Sequence, residues 1–339
     1  MQKVLVAMSG GVDSSVAAAV LLEQGYEVVG ATMLLSENEA DARDAKNTCD
    51  ILRVPHVTLD RRKEFEEYVK SPFAKSYAVG ETPNPCIVCN KKIKFGTFLD
   101  YAEENGFDLI ATGHYVQKSF FNGVPVIKCA DDKKKDQSYV LWQLSEHQIS
   151  RAIFPLCGMT KSEARSVAER YGFVSAHKSD SQDICFVPDG DYAGYIEKNH
   201  GIIPISGNFT DTEGNIIGQH SGIINYTVGQ RKGLGIAFGE PRYVVAKNPE
   251  NNTVTLGRNE DLFTTYVKVR EVNVSRAFEF PGSFEVKIRY GHSAQPATVT
   301  LGENGSAEIT FTEPQRAPAP GQSAVIYSGD LLVGGGIIE

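Results

Sequence analysis

No apolar run in these 339 residues is long enough to cross a bilayer, and no basic stretch with an apolar core precedes the first strand pattern, which begins at Val4. A membrane partner is therefore not expected, and the expected compartment is the cytoplasm. Positive charge is also in short supply, because 34 basic against 42 acidic residues leave a formal charge of -8. That excludes a molecule holding nucleic acid by bulk charge, so such a contact must come from a local basic face. Internal repeats and low-complexity tracts are absent, apart from a proline-rich connection at 314–320. The six cysteines suit no disulfide scaffold in a reducing compartment. No second CxxC and no paired histidines exist to complete a four-ligand zinc site. What is left, 41% hydrophobic and 22% charged, is ordinary for a globular protein of two or three domains.

The most informative stretch is Met8-Ser9-Gly10-Gly11-Val12-Asp13-Ser14-Ser15. It lies between a buried-strand pattern at 4–7 and a helical pattern at 16–22, with Gly25 as a left-handed stop. Gly10 and Gly11 let the backbone turn tightly and bring its N–H groups close to a phosphate. The serines add hydroxyl donors where helix amides already favour an anion. Asp13 is a carboxylate in an anion site, and its simplest use is to hold magnesium on the same phosphates. The common phosphate loop ends in Gly-Lys-Ser/Thr, and no lysine stands here. The stretch resembles instead the S-G-G-x-D-S motif of the ATP pyrophosphatases, which cleave ATP between its α and β phosphates and adenylate a substrate. An ordinary turn of small residues is the plain alternative. The expected ATP-binding set is Ala7, Met8, Ser9, Gly10, Gly11, Val12, Asp13 and Ser14, with Met33 and Gly113 near adenine and ribose.

Strand patterns at 4–8, 28–33, 56–59 and 109–112 alternate with helical patterns at 14–24, 39–52, 62–77 and 91–105. That alternation predicts a parallel sheet covered on both faces, with ligands beyond the carboxyl ends of its strands. Residues 130–200 read as mainly helical, with a capping box at Thr160 and Glu163 opening a helix that stops at Gly172. Near 201 glycine and turn signals multiply and long helical periodicity ceases. The fold class is thus α/β, a parallel-sheet domain followed by two small all-β domains. Expected boundaries are 1–203, 204–266 and 267–339, the last a six-strand barrel with strands at 267–274, 283–289, 297–301, 307–311, 323–327 and 331–338.

Cys86-Ile87-Val88-Cys89 follows Thr82-Pro83-Asn84-Pro85, whose prolines predict a stiff loop and exclude helix. Thiols at that spacing can share a metal or exchange as a redox pair, and Lys91, Lys92 and Lys94 would raise their thiolate fraction. Cys49, Cys129 and Cys157 stand singly and read as small buried hydrophobes.

The chain resembles the tRNA-specific 2-thiouridylases along nearly its whole length, in residues 9–15, 82–95, 111–115, 135–141, 181–186, 227–236, 289–290, 321–327 and 334–337. The resemblance implies a PP-loop catalytic domain, then a central β domain and a β-barrel that help hold tRNA. It implies ATP-dependent 2-thiolation of the wobble uridine, with C2 adenylated and sulfur delivered from a persulfide on Cys185. Cys89, at the family's nucleophile position, would release that sulfur by forming a disulfide with Cys185. An upstream sulfur carrier, or inorganic sulfide, would supply the atom. Asn84, Pro85 and Cys86, together with His114, Lys135, Asp136, Gln137, Arg289, Tyr290 and Gln322, match positions the family uses toward tRNA.

One departure stands out. The family usually reads N-P-D-x-x-C, and Cys86 replaces the aspartate. Three thiols then raise an alternative, a four-iron four-sulfur cluster held by Cys86, Cys89 and Cys185. Further alternatives are another PP-loop ATP pyrophosphatase ligase, or a non-catalytic ATP-binding RNA module. On residue types alone Lys133-Lys134-Lys135 is a solvated loop and His114 a core histidine. Arg289-Tyr290 pairs a cation with a stacking ring, a common grip on an unpaired nucleotide.

Overall fold

A computed structural model describes residues 1–178, 184–236 and 239–339. Four strands, β1 (Lys3–Ala7), β2 (Glu27–Leu34), β3 (His56–Asp60) and β4 (Leu109–Ala111), form a parallel sheet with a short fifth strand at Ala152–Ile153. Their order is β3-β2-β1-β4 and then Ala152–Ile153. Alternation along each strand decides which face a side chain enters. Leu5, Ala31, Leu59 and Ile110 pack on one face, while Val4, Val6, Val28 and Ala111 pack on the other. Helices α1 (Val12–Glu23) and α2 (Ala40–Leu52) cover the second face, as does the Lys161–Tyr171 helix. The expected strands and the two all-β units are present. The fifth strand was not expected, its two residues being too short for any periodicity.

One expectation is corrected. The stretch carrying Cys86 and Cys89 is a helix from its first proline onward, Pro85–Cys89, running into a π-helical segment at Asn90–Thr97 and an α-helix at Phe98–Glu104. Proline is compatible with the first helical position, where its missing N–H would have no partner anyway. Asn84 completes the start, its side chain accepting from the Cys86 amide at 3.1 Å.

The central unit is a four-stranded sheet whose middle strands, Gly207–Thr210 and Thr253–Gly257, run parallel. Its Phe209, Val244, Val254 and Leu256 pack against Phe73 and Tyr77 of the first domain. In the last unit the Phe263–Val274 strand pairs with both Ala307–Arg316 and Leu331–Ile338, closing a six-strand barrel. A hairpin from the first domain, Val116–Phe121 with Val124–Cys129, joins that sheet at Leu331. Val325, Tyr327 and Leu332 of the barrel enter the same core as Phe95 and Trp142. Trp142 donates to Ser323 Oγ at 3.0 Å, and a Cβ at Gly335 would lie 3.0 Å from its ring. Among the described residues no helix is long and apolar enough to cross a membrane.

Candidate active site

The turn after β1 is built from short-range bonds. Gly10 adopts φ +67°, and a Cβ there would lie 2.7 Å from the Asp41 carbonyl oxygen. Gly11 starts α1 in an extended conformation with no side-chain cap, which leaves the first-turn amides to a ligand. Ser14 Oγ accepts from the Ser9 amide at 3.1 Å and donates to the Gly11 carbonyl at 3.2 Å. Ser15 is buried, and its hydroxyl donates to the same carbonyl at 2.9 Å, which gives it a structural task. From β4, Gly113 closes on this turn: a Cβ would lie 2.8 Å from the Asp13 carbonyl carbon and 2.9 Å from the Ser14 nitrogen. Ala7 and Met8 end β1, where the Met8 amide donates to Ala31 at 2.8 Å.

Asp13 has other partners than magnesium. Lys161 Nζ lies 2.8 Å from each of its carboxylate oxygens, and the Tyr115 hydroxyl donates to one at 2.7 Å. As folded, Asp13 does not present a vacant carboxylate to a divalent cation. A second lysine, Lys178, donates to the Gly10 carbonyl and pairs with Asp44. Sequence reasoning missed both lysines, Lys161 reaching Asp13 from 148 residues away and Lys178 reaching Gly10 from 168. The available signal was the capping box, which sets Lys161 at the first position of its helix; both halves of that box are present.

The thiols gather beside the carboxyl end of β2. Cys89 is 7% exposed in a cluster with Phe65, Val69 and Ile93, against which Met33, Leu35 and Phe186 also pack. Met33, near the carboxyl end of β2, therefore packs against the cysteine helix. Burial pushes the Cys89 thiol up to about 12, Lys94 opposes that shift, and the Cys185 and Cys86 thiols add to it. Cys185 reaches the surface, and its pKa is raised by the protein crowded around it and next by Cys86, against Lys94. The three thiols are thus within electrostatic reach of one another. Phe186 anchors Cys185 from the adjoining position, its ring 5.3 Å from Phe73, 5.7 Å from Phe65 and 5.2 Å from Tyr195. Ser181, Gln182 and Asp183, which precede it in the family-like stretch, lie outside the described residues.

The π-helical segment matters for Lys94. A π turn takes about 4.4 residues instead of 3.6, so a side chain five positions on returns toward the face of Cys89. Gly96 permits it, since a Cβ would lie 2.9 Å from the Lys91 carbonyl oxygen. Gln148 holds it open by donating to the carbonyls of Lys91 at 3.1 Å and Phe95 at 2.7 Å. Among the described residues no group of three or more His, Cys, Asp or Glu side chains is placed to hold a metal ion. That concerns a single ion, whereas the thiolates of a four-iron four-sulfur cluster bind separate irons and stand farther apart.

The residues expected at tRNA divide into two groups. Tyr290 is 49% exposed, stands edge-on to Tyr139, and donates to the Asp136 carbonyl at 3.3 Å. Burial raises its pKa, followed by Asp136, with Lys135 opposing and Cys86 adding to the rise. Lys135, Asp136 and Cys86 thus lie within electrostatic reach of Tyr290, with Asn84 and Pro85 just before Cys86 in the chain. The others are engaged internally. The Asp136 carboxylate accepts from the Ala130 amide and the Ser138 hydroxyl, and Gln137 accepts from the Tyr115 amide. Arg289 donates to the carbonyls of Val228 and Ala317, tying the central unit to the barrel. Gln322 donates to the Thr82 carbonyl at 2.6 Å. His114 is 8% exposed, with its Nδ1 2.8 Å from the Thr112 hydroxyl, and burial followed by Lys94 drives its pKa well below the ordinary histidine value. It is a neutral core histidine more than a group at an open mouth.

A parallel sheet with an uncapped, glycine-rich first turn, lysines braced around it and thiols at the same edge defines a PP-loop nucleotide-binding domain, here joined to two β units. Residues 2–189 match the family model described as tRNA methyl transferase HUP domain. Residues 196–258 match its PRC-barrel domain, and 264–338 the aminomethyltransferase beta-barrel domain. The tRNA-specific 2-thiouridylase MnmA of Treponema denticola is 45% identical over 99% of this chain and 98% of its own length. That of Lachnoclostridium phytofermentans is 44% identical over 100% and 99%. A solved 4-thiouridine synthetase–RNA complex with bound ATP is 19% identical over 55% of this chain and 45% of its own, with a TM-score of 0.38. The chain belongs to the tRNA-specific 2-thiouridylase family.

Proposed function

We propose that the protein thiolates C2 of the wobble uridine of tRNA at the expense of ATP, as a tRNA-uridine 2-sulfurtransferase. What supports this reading is the full-length likeness to tRNA-specific 2-thiouridylases, together with a phosphate-binding turn after β1 and Cys89 packed beside Met33 at the carboxyl end of the neighbouring strand β2. The uridine C2 oxygen attacks the α-phosphate, pyrophosphate leaves, and a poor leaving group becomes AMP. The outer sulfur of a Cys185 persulfide then bonds to C2 as AMP departs. The Cys89 thiol attacks Cys185 Sγ, its proton passing to the thiouridine released, which leaves sulfur on C2 and a Cys89–Cys185 disulfide that a thiol reductant resets. Dividing one displacement into such steps is the advantage of covalent relay. Lys161 and Lys178 take the place of the missing loop lysine, passing their charge from Asp13 and Asp44 to the phosphates. Magnesium is read as accompanying the ATP phosphates, away from Asp13. Tyr290 with Lys135 beside Cys86 offers a stacking ring and a cation to an unpaired nucleotide.

The test is incubation of the protein with ATP, a persulfide-loaded carrier and unmodified tRNA transcript, followed by nucleoside mass analysis. The expected product is 2-thiouridine with one pyrophosphate released per thiolation, from iron-free protein. Pyrophosphate release without 2-thiouridine, under persulfide and under anaerobic sulfide alike, would overturn the reading in favour of another PP-loop ligase. ATP binding without pyrophosphate release would favour a non-catalytic module.

A further inference from the structure

The connection from residue 81 to 84 enters the cysteine helix as irregular backbone. Pro83 and Pro85 have no N–H to donate, so Thr82 carries most of what this segment can offer a neighbour. Both of its backbone groups are taken by one turn of the barrel: the Thr82 amide donates to the Pro320 carbonyl at 2.8 Å, and the Thr82 carbonyl accepts from Gln322 Nε2 at 2.6 Å. Gly321 sits between those two bonds at φ +88°, where a Cβ would lie 2.8 Å from the Thr82 nitrogen. The turn itself is fixed, for the Gln322 amide donates to Ala319 and its carbonyl accepts from Ile338 in the last strand. An ion pair of 2.9 Å between Arg270 and Glu81 adds a second tie from the barrel. Two residues past Thr82, Asn84 caps the helix that presents Cys86 and Cys89.

We propose that Gln322 is a positioning residue for the thiols, acting through Thr82, and that the barrel thereby sets the placement of the cysteine helix in addition to holding RNA. The family resemblance puts Gln322 at tRNA, but its amide group is already engaged on the first domain. A glutamate at this position would set a carboxylate against the Thr82 carbonyl and should disturb the clasp more than alanine does. Only the activity arm of the following test rests on the thiolation reading.

The experiment compares Gln322→Ala, Gln322→Glu and Gly321→Ala with the unaltered full-length protein. Three quantities are read: hydrogen exchange across residues 80–89, affinity for tRNA transcript, and kcat and KM for thiolation. Exchange in that segment should rise and kcat should fall by about tenfold, the glutamate variant most, while KM and affinity for tRNA stay within about twofold. Loss of tRNA affinity with unchanged exchange would overturn the proposal and return Gln322 to RNA contact. Faster exchange with an undiminished kcat would also overturn it. If the unaltered protein made no 2-thiouridine, the proposed activity would fall while exchange and affinity still scored the clasp.

Discussion

The phosphate-binding turn and the cysteine helix lie toward opposite faces of the parallel sheet and are held in different ways. The turn closes on itself through Ser9, Gly11, Ser14 and Ser15, no more than five residues apart in their mutual bonds, and is braced from afar at Asp13 by Lys161 and Tyr115 and at Gly10 by Lys178. The cysteine helix is held by distant chain: Val140 bonds Asn90, Gln148 bonds Lys91 and Phe95, the barrel turn bonds Thr82, and Phe186 packs beside Cys89. A sulfur site assembled from afar has to be rebuilt whenever its surroundings change, and the replacement of the family's aspartate by Cys86 falls in that half.

Four substitutions or conditions probe this contrast, beginning with the largest effect. Cys185→Ser should lower thiolation by about a thousandfold or more and leave ATP affinity within about twofold, because the proposed relay uses that thiol only in the covalent steps. Isotope-labelled sulfur retained on Cys89 alone, with product still formed at speed, would break the division of labour. Gly113→Ala should do the reverse. Its methyl group presses on the backbone of Asp13 and Ser14, and ATP affinity should fall by roughly ten- to a hundredfold as the turn is displaced. Iodoacetamide labelling of Cys86 should be unaltered in that variant.

Lys161→Met should cost about tenfold in ATP affinity, read by calorimetry, since it removes a half-buried cation and leaves Asp13 without its ion-pair partner. Affinity that rises on this substitution would mean that the lysine competes with the nucleotide and does not assist it. The smallest effect concerns pH. Burial holds the His114 pKa well below its unfolded value, so between the two values the unfolded chain binds the extra proton. Stability is then present above the unfolded pKa and is lost as pH falls below it. His56, His220 and His292 are lowered in the same direction, mainly by burial. Urea denaturation at pH 5 and pH 7 should therefore show a smaller loss for His114→Gln than for the unaltered chain, but not a vanished one.

The contrast also explains what could be read from residues alone. The sheet strands, α1, the turn and the barrel strands announce themselves through local periodicity and local turn chemistry. The place of Gly113 at a strand's carboxyl end was legible for the same reason, but its close approach to the backbone of Asp13 and Ser14 was not. Lys161 and Lys178 were not, because the bond to Asp13 or Gly10 spans much of the first domain. The cysteine helix was misread as a loop because two prolines were weighed as breakers. Position decides their effect, and one of them sits where a helix begins. Asp136, Gln137 and Arg289 carry the residue types of RNA contacts, yet their side chains bond to backbone groups elsewhere in the chain, which composition and spacing do not report.

The chain has a single tryptophan, and it is wedged at 1% exposure between Ser323, Gly335 and the backbone of the first domain. Nature has in effect left one intrinsic fluorophore at the joint between barrel and catalytic domain. Its emission is a built-in gauge of that joint, blue when the two are seated and red when water enters between them. Docking can then be followed in real time, with no label attached, as transcript is added.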